Sequence, residues 1–336
     1  MDELKFSILL PAYNGQEFIA ETLKSIFAQR FTNYEIIIID DNSQDDTIKV
    51  VNSLGDTRIR LYKNHINLGY SANLRECYKK TEGDIIYLMG QDDVLGRNAL
   101  IDTYNAFQYS DNIGAVARPY YWFDNNINTP VRIKRQLNPD KDEIVRISDP
   151  YHRIIRVFES LDQLSGLAFR RKYMDLDFHN DIFPCHVYPF ASIFKKQPVV
   201  FLKDYTVAVR IRSSQCRKIS SIYEKSPLQS WVDLFNTVFY EPKFHIFRDF
   251  MIKNFVAINY VGLVQIRNYA RYRYLFREIW LLIKYRPKNI TSLKFWFFTI
   301  GCLLTPASLL ISLVDWYKDK INSRLCRRIK FDYSLT

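Results

Sequence analysis

The strongest constraint in this chain is an alternation near its N-terminus: short apolar runs, each followed at once by polar residues and then by apolar residues at helical spacing. Phe6 to Leu10 is such a run, closed by Pro11, and Tyr34 to Ile39 is a second, closed by Asp40, Asp41 and Asn42. Ile59 to Tyr62 is a third candidate strand, and Asp84 to Met89 a fourth, stopped by Gly90, Gln91, Asp92 and Asp93. Between them, Phe18, Ile19, Thr22, Leu23, Ile26 and Phe27 repeat as one helical face. Helices are also expected over about 45–53 and 70–81. Asn14 with Glu17, and Ser43 with Asp46, have the spacing of capping boxes. Strands separated by helices imply right-handed crossovers and a mostly parallel sheet flanked by helices, an α/β fold.

In such sheets ligands bind beyond the carboxyl ends of the strands. Pro11 to Asn14, Asp40 to Ser43 and Gln91 to Asp93 all follow strands, so three segments distant in sequence should meet at one edge. Crowded carboxylates repel, and a divalent cation offsets that cost. Oxygen donors with few cysteines favour magnesium or manganese over zinc. No G-x-G pair occurs among the ten glycines, so the dinucleotide fingerprint and the P-loop are both absent. A diphosphate neutralised by the metal remains compatible, which points to a nucleotide diphosphate.

Four segments carry a resemblance: Ile8-Leu-Leu-Pro-Ala-Tyr-Asn-Gly15, Glu35-Ile-Ile-Ile-Ile-Asp-Asp-Asn-Ser-Gln-Asp-Asp-Thr47, Asn67-Leu-Gly-Tyr-Ser-Ala-Asn73 and Gly83-Asp-Ile-Ile-Tyr-Leu-Met-Gly-Gln-Asp-Asp93. In order and spacing this series resembles family 2 glycosyltransferases of the GT-A (Rossmann-like) fold, of the bacterial surface polysaccharide type, over about residues 1–110. The resemblance implies an inverting transferase that moves a sugar from a nucleotide-diphosphate donor to a hydroxyl of a glycan or lipid-linked acceptor, with Mn2+ or Mg2+. It implies a nucleotide site at Pro11, Tyr13, Asn14, Asp41, Gly69 and Asp92. Tyr13 would stack on the base, Asp41 would accept from it, and Asp40 would shape the turn. Asp92 would approach the ribose or the water shell of the metal, and Asp93 would be the direct metal ligand. The family pattern has a further Asp two positions before that pair, where this chain has Gly90. Taken singly, each of these residues has an ordinary alternative: a packed loop aromatic, a turn, or a cap for the helix near Ala99 to Phe107.

Residues 111–220 are the expected acceptor half of a catalytic domain spanning 1–220. Gly114 to Arg118 reads as a strand, whereas Tyr120 to Asp149 is loop-rich, with Tyr120, Tyr121 and Trp122 as sugar-stacking candidates or core. Inversion requires a base for the acceptor hydroxyl. The family places an acidic residue at a helix start ahead of a strand resembling Val199 to Leu202. Near that start stand Asp181 and His186, the two candidates for the base. Arg210, Arg212, Gln215 and Arg217 are candidate phosphate contacts or a solvated basic loop.

Charge is unevenly placed. Residues 1–110 carry 11 basic and 16 acidic groups, residues 111–266 carry 22 and 16, and residues 267–336 carry 14 and 4. No zinc-finger spacing and no RNP-like motif accompany the basic excess, so a nucleic-acid partner is not expected. Five widely spaced cysteines without C-x-x-C indicate neither a disulfide framework nor structural zinc. The acidic, polar start does not read as a signal peptide.

From Ser226 the chain reads as a helical C-terminal region, 221–336, dense in aromatics and arginines as at a membrane surface, or packed as core. Residues 295–314 carry no charge, but Pro306 interrupts them and basic clusters flank both ends. A kinked, re-entrant or interfacial pair of helices, monotopic at the cytoplasmic face of a membrane, fits those flanks better than a single span. A non-catalytic nucleotide-sugar-binding scaffold at the membrane is the alternative to the enzyme. A sugar nucleotidyltransferase is disfavoured by the missing glycine-rich loop.

Overall fold

A computed structural model describes residues 4–211, 220–322, 326 and 329–335. The chain divides into two compact units, one of Met1–Ile211 with Cys326–Thr336 and one of Arg212–Leu325. The division differs from the expected 1–220 and 221–336, because the last residues return to the first unit.

The first unit contains an eight-stranded sheet in the order β3-β2-β1-β4-β10-β6-β11-β9. Its strands are β1 (Phe6–Ala12), β2 (Tyr34–Asp40), β3 (Ile59–Lys63), β4 (Ile85–Leu88), β6 (Ala115–Ala117), β9 (Glu143–Val145), β10 (Ala168–Arg170) and β11 (Val199–Phe201). β1 runs parallel to both β2 and β4, and β2 parallel to β3, while β10 is antiparallel to β4 and β6 and β9 antiparallel to β11. The sheet is therefore mixed, and its parallel half is the part formed by the alternating N-terminal pattern. Ile36 to Ile39 of β2 are all buried because helices cover both faces, which is why these strands read as continuous apolar runs. The helices are α1 (Ile19–Phe27), α2 (Thr47–Ser53), α3 (Tyr70–Lys79), α4 (Ala99–Gln108), α5 (Tyr151–Glu159) and α6 (Val187–Phe194).

Several local expectations change. Pro11 does not end β1 but pairs with Ile39 inside it. The last β1–β4 pair is Leu9 with Leu88, so the missing N–H of Pro11 lies beyond the reach of β4. Neither capping box forms: α1 and α2 start at Ile19 and Thr47 without side-chain caps. Asn14 and Ser43 are instead used in contacts between loops.

Tyr120 to Lys134 is a pair of strands joined by a turn rather than a loop. β5 (Val94–Leu95), β7 (Tyr120–Phe123), β8 (Pro130–Lys134) and β12 (Val207–Arg210) make a second sheet in the order β5-β12-β7-β8. Tyr120, Tyr121 and Trp122 are buried in it, so none is free to stack on a sugar. The returning tail packs here. Phe331 meets Tyr121 edge to face at 5.2 Å, and the Asp332 carbonyl accepts from Arg97 N–H at 2.8 Å.

The second unit is helical: α7 (Pro227–Val238), α8 (His245–Asn254), α9 (Val261–Tyr269), α10 (Tyr272–Tyr285), α11 (Leu293–Leu304) and α12 (Ala307–Trp316). The uncharged stretch 295–314 is broken at Thr305 and Pro306, with Thr305 extended as the residue before a proline prefers. Among the described residues no helix is long and apolar enough to cross a membrane.

The half-buried Phe331 supplies much of the tail's apolar contact. Phe331→Ala is expected to lower the stability of the first unit by about 2 kcal/mol in denaturant titration, and an unchanged midpoint would show that the Phe331–Tyr121 contact contributes nothing.

Candidate active site

The polar segments that follow β1, β2 and β4 do meet at one edge, and hydrogen bonds between loops fix them. Asn14 and Asn42 are the two described non-glycine residues with positive φ, at 47° and 60°. That conformation suits Asn better than most residues, and it turns the chain sharply just past β1 and β2. The two turns are then joined. Asn14 N–H donates to Ser43 Oγ at 2.8 Å, Gly15 N–H to Thr47 Oγ1 at 2.8 Å, and Gln44 N–H to Asn14 Oδ1 at 2.9 Å. From the β4 side the Gln91 carboxamide grips the backbone of Tyr13, accepting from its N–H and donating to its carbonyl, both at 2.9 Å. A Cβ on Gly15 would lie 2.4 Å from Gln91 Oε1, so glycine is required for that approach. The Tyr13 side chain remains partly exposed beside this grip.

Asp41 is buried and ties down the loop after β3. Its Oδ1 accepts from Asn64 Nδ2 and Leu68 N–H, and its Oδ2 from Gly69 N–H, each at 2.8 Å. Gly69, at φ 81°, precedes α3. Three donors of the loop thus converge on Asp41, which fixes the Gly69 turn and leaves the carboxylate part of its acceptor capacity. Asp40 shapes its turn as expected, with Oδ2 accepting from Ser43 N–H at 2.9 Å.

Asp92 and Asp93 precede β5 and do not cap α4, whose N-terminal flank is Asn98. Asp93 is buried. Its Oδ1 accepts from Arg210 N–H at 2.9 Å and its Oδ2 from the Ser165 hydroxyl. Burial, and then the neighbouring Asp92 charge, push the Asp93 carboxyl up from its ordinary range, against the pull of those two hydrogen bonds. A carboxylate so placed favours an added cation. Among the described residues no group of three His, Cys, Asp or Glu forms a metal cage. The donors present suit Mg2+ or Mn2+ bound in the usual way for such ions, by one or two carboxylates with the remaining oxygens from phosphate and water. The departure at Gly90 has a steric counterpart: a Cβ there would sit 3.1 Å from Asp93 Oδ2 and 3.2 Å from both Asp92 Oδ1 and Ser165 Oγ.

Sequence reasoning missed the turn that carries Ser165. Gly90 N–H donates to Ser165 Oγ at 2.8 Å, which leaves the hydroxyl proton for Asp93. The fully buried Arg118 holds this turn by donating to the carbonyls of Ser160, Gln163 and Ser165 at 3.0, 2.9 and 2.6 Å. Tyr120 donates to Asp162 in the same turn, and Lys134 pairs with that carboxylate at 2.9 Å. Only Gly166, at φ 84°, marked this segment in the sequence.

His186 belongs to this turn rather than to an exposed acceptor site. Its Nε2 lies 2.8 Å from the Leu161 carbonyl, so the imidazole donates there as the Nε2–H tautomer. Burial lowers its pKa to about 4, which keeps it neutral and makes it a poor base. Asp181 is also buried; its Oδ1 accepts from Phe183 N–H at 3.2 Å, and its carbonyl accepts from Ser71 Oγ at 3.4 Å. Its neighbour Cys185 interacts with Tyr70, which in turn feels Asp93. Arg210 is not available to phosphates. Its guanidinium pairs with Glu21, donates to the Asp92 carbonyl at 3.1 Å, and lies between the Phe18 and Phe123 rings at 4.8 and 4.6 Å. Arg212, Gln215 and Arg217 lie outside the described residues.

The model of the family described as glycosyl transferase family 2 matches residues 7–175, half of the chain and all the loops of this edge except Arg210. The chain belongs to that family. Among relatives, the Escherichia coli UDP-Glc:alpha-D-GlcNAc-diphosphoundecaprenol beta-1,3-glucosyltransferase WfgD is 29% identical over 126 residues, 38% of this chain and 49% of that protein. The Staphylococcus aureus poly(ribitol-phosphate) beta-N-acetylglucosaminyltransferase TarS is 29% identical over 111 residues, 30% of this chain and 18% of that protein. The chain spans half or less of the length of these relatives. In fold, the family 2 domain and its helical companion are similar to residues 1–349 of TarS in complex with UDP-GlcNAc, with a TM-score of 0.63, 16% identity, and coverage of 96% of this chain and 90% of that one. A mannosyltransferase from Pyrobaculum calidifontis, solved with GDP-Man and Mn2+, gives a TM-score of 0.55 at 15% identity, with 97% and 87% coverage. The α/β fold is thus GT-A-like.

Two outcomes test the site as a structure. Asp41→Ala takes the acceptor from Leu68 N–H and leaves Gly69 N–H only Asn67 Oδ1, at 3.0 Å, and should cost about 1–2 kcal/mol, seen as faster amide exchange at Leu68; unchanged exchange there would remove Asp41 as the anchor. His186 binds a proton in the unfolded chain near pH 6.5 but in the folded chain only near pH 4. Its neutral form therefore supports full stability above about pH 6.5, and about 3 kcal/mol is lost as pH falls to about 4. His186→Gln, which still donates but does not titrate, should flatten that slope in denaturant titrations at pH 7 and pH 5, and an identical slope would exclude the buried imidazole as its source.

Proposed function

We propose that the chain is an inverting glycosyltransferase that moves a sugar from a nucleotide-diphosphate donor to a hydroxyl of a glycan or lipid-linked acceptor at the cytoplasmic face of a membrane, in polysaccharide synthesis. The observation that carries this reading is the buried Asp93 beside Asp92, held by Arg210 N–H and the Ser165 hydroxyl at the edge where the loops after β1, β2, β3 and β4 are tied together. Family membership and relatives named for UDP-Glc and GlcNAc transfer support the donor class, and the neighbour solved with GDP-Man and Mn2+ supports a divalent ion.

The partly exposed Tyr13 ring takes the nucleobase, while Asn14 and Gly69 shape the walls and Asp41 keeps the Gly69 loop in place. Asp92 and Asp93 hold Mn2+ or Mg2+, which when bound neutralises charge gathering on the departing diphosphate. Ser165 and Arg210 N–H orient Asp93 for that task. The acceptor proton goes to a base on the opposite side of the anomeric carbon. Because His186 spends its Nε2–H on the Leu161 carbonyl and its basicity is lowered, this reading keeps Asp181, whose carboxylate is the better proton acceptor, for that role.

The test is release of nucleoside diphosphate from a panel of nucleotide sugars with and without Mn2+. Metal-dependent release is expected from at least one donor, with Asp93→Asn slower by roughly two to three orders of magnitude. Asp181→Asn should lower kcat while donor binding persists; unchanged kcat removes Asp181 as the base. No release from any donor, with binding intact, would favour a nucleotide-sugar-binding scaffold instead.

A further inference from the structure

The second unit carries a surface that the transferase site does not use. Among the described residues, all the exposed large apolar side chains but Ile66, Leu68 and Tyr109 lie in it. They fall at helical spacing. On α10, Tyr272, Phe276 and Trp280 form one exposed stripe opposite the buried Leu275 and Leu282. On α11, Leu293, Phe297 and Leu304 are 89%, 74% and 78% exposed, whereas Phe295, Thr299 and Cys302 face inward. On α12 no residue is buried, although Leu309, Leu313 and Trp316 repeat along one face. The stripes adjoin: both α11 and α12 lie on α9, and Tyr272 OH reaches the Leu303 carbonyl at 3.4 Å, where α10 begins and α11 ends.

Charge gathers on the same helices. Residues 220–266 carry four basic and four acidic groups, but residues 267–322 carry ten and three. Lys284, Lys288 and Lys294 are exposed at the junction of α10 and α11. Lys284 Nζ sits 5.0 Å over the Trp280 ring, and the Arg267 guanidinium 4.3 Å over Tyr272. Apolar side chains edged by aromatic rings and cations match the headgroup layer of a bilayer, where rings and cationic heads meet anionic lipid. At 12 and 10 residues, α11 and α12 reach roughly 18 and 15 Å, short of the roughly 30 Å of hydrocarbon that a span needs.

We infer that the exposed faces of α10, α11 and α12 dock on an anionic bilayer surface, lying in the headgroup region rather than crossing it. This names the surface through which the proposed membrane contact is made, but it rests on the second unit and does not require the donor chemistry to be right.

Flotation of the full chain with vesicles, without substrate, tests it. The chain should float with vesicles of seven parts phosphatidylcholine to three of phosphatidylglycerol, and much less with phosphatidylcholine alone. The triple variant Phe276→Ser, Phe297→Ser, Leu313→Ser should stay at the bottom of the gradient. The triple variant Lys284→Glu, Lys288→Glu, Lys294→Glu should lose the preference for anionic lipid, with affinity falling on the order of a hundredfold. Circular dichroism should be unchanged in both, since the replaced side chains are exposed, and any donor turnover measured in free solution should persist. A wild-type chain that stays at the bottom with both vesicle types overturns the inference. So does a wild-type dimer, seen by sedimentation equilibrium and abolished by the serine variant, that does not float: the face would then belong to a second copy of the chain.

Discussion

The candidate site depends on β1 being held in parallel pairing on both sides. β2 and β4 flank it with their residues buried, so the chain can expose polar groups only where these strands stop. That single constraint brings Tyr13, Asp41 and Asp93 to one edge although they are far apart in sequence. The loops that leave the edge are not slack. Gln91 grips Tyr13, Ser43 and Thr47 accept from the Asn14 turn, and Asp41 collects the N–H groups ahead of α3. Each bond is individually modest, but an edge whose polar backbone groups are satisfied by neighbouring loops is rigid before any ligand arrives.

Beneath Asp93 lies a second layer of order. Arg118 spends its guanidinium on three carbonyls of one turn, and among the described residues no carboxylate pairs with it. Burying a cation in this way is costly, and burial accordingly lowers its pKa. The return is a turn fixed from several sides, with His186 holding Leu161 and Tyr120 holding Asp162, so that Ser165 Oγ is delivered to Asp93. Gly90, where the family pattern has an acidic residue, leaves the room that this hydroxyl needs. The carboxylate missing from the motif is thus matched by a neutral donor on one of the remaining two.

Much of this was legible in the chain. The four N-terminal strands, α3 and α4, and the convergence of three polar segments follow from periodicity and from where the apolar runs stop. What failed locally failed for a common reason. Asn14 and Ser43 have capping-box spacing, but each found a better partner in the other's loop, a contact that spacing along one segment cannot reveal. Tyr120 to Lys134 looked like loop because its strands pair within a small second sheet rather than in the alternating pattern. Arg210 looked like a phosphate contact because its rings and its carboxylate partner, Phe18 and Glu21, come from the other end of the unit.

The sequence by itself determined which residues stand at the carboxyl ends of the parallel strands, because a strand buried on both faces writes itself as an unbroken apolar run and leaves its polar residues at its end. It also determined that residues 295–314 would break at Pro306, since proline can neither donate to a helix nor let its predecessor stay helical. Only the tertiary structure decided that His186 would be a neutral donor to Leu161, that Ser165 would orient Asp93, and that the tail would return to pack on Tyr121. Those outcomes rest on pairings between segments tens or hundreds of residues apart, and the residue types involved are equally at home in a turn, a cap or a core.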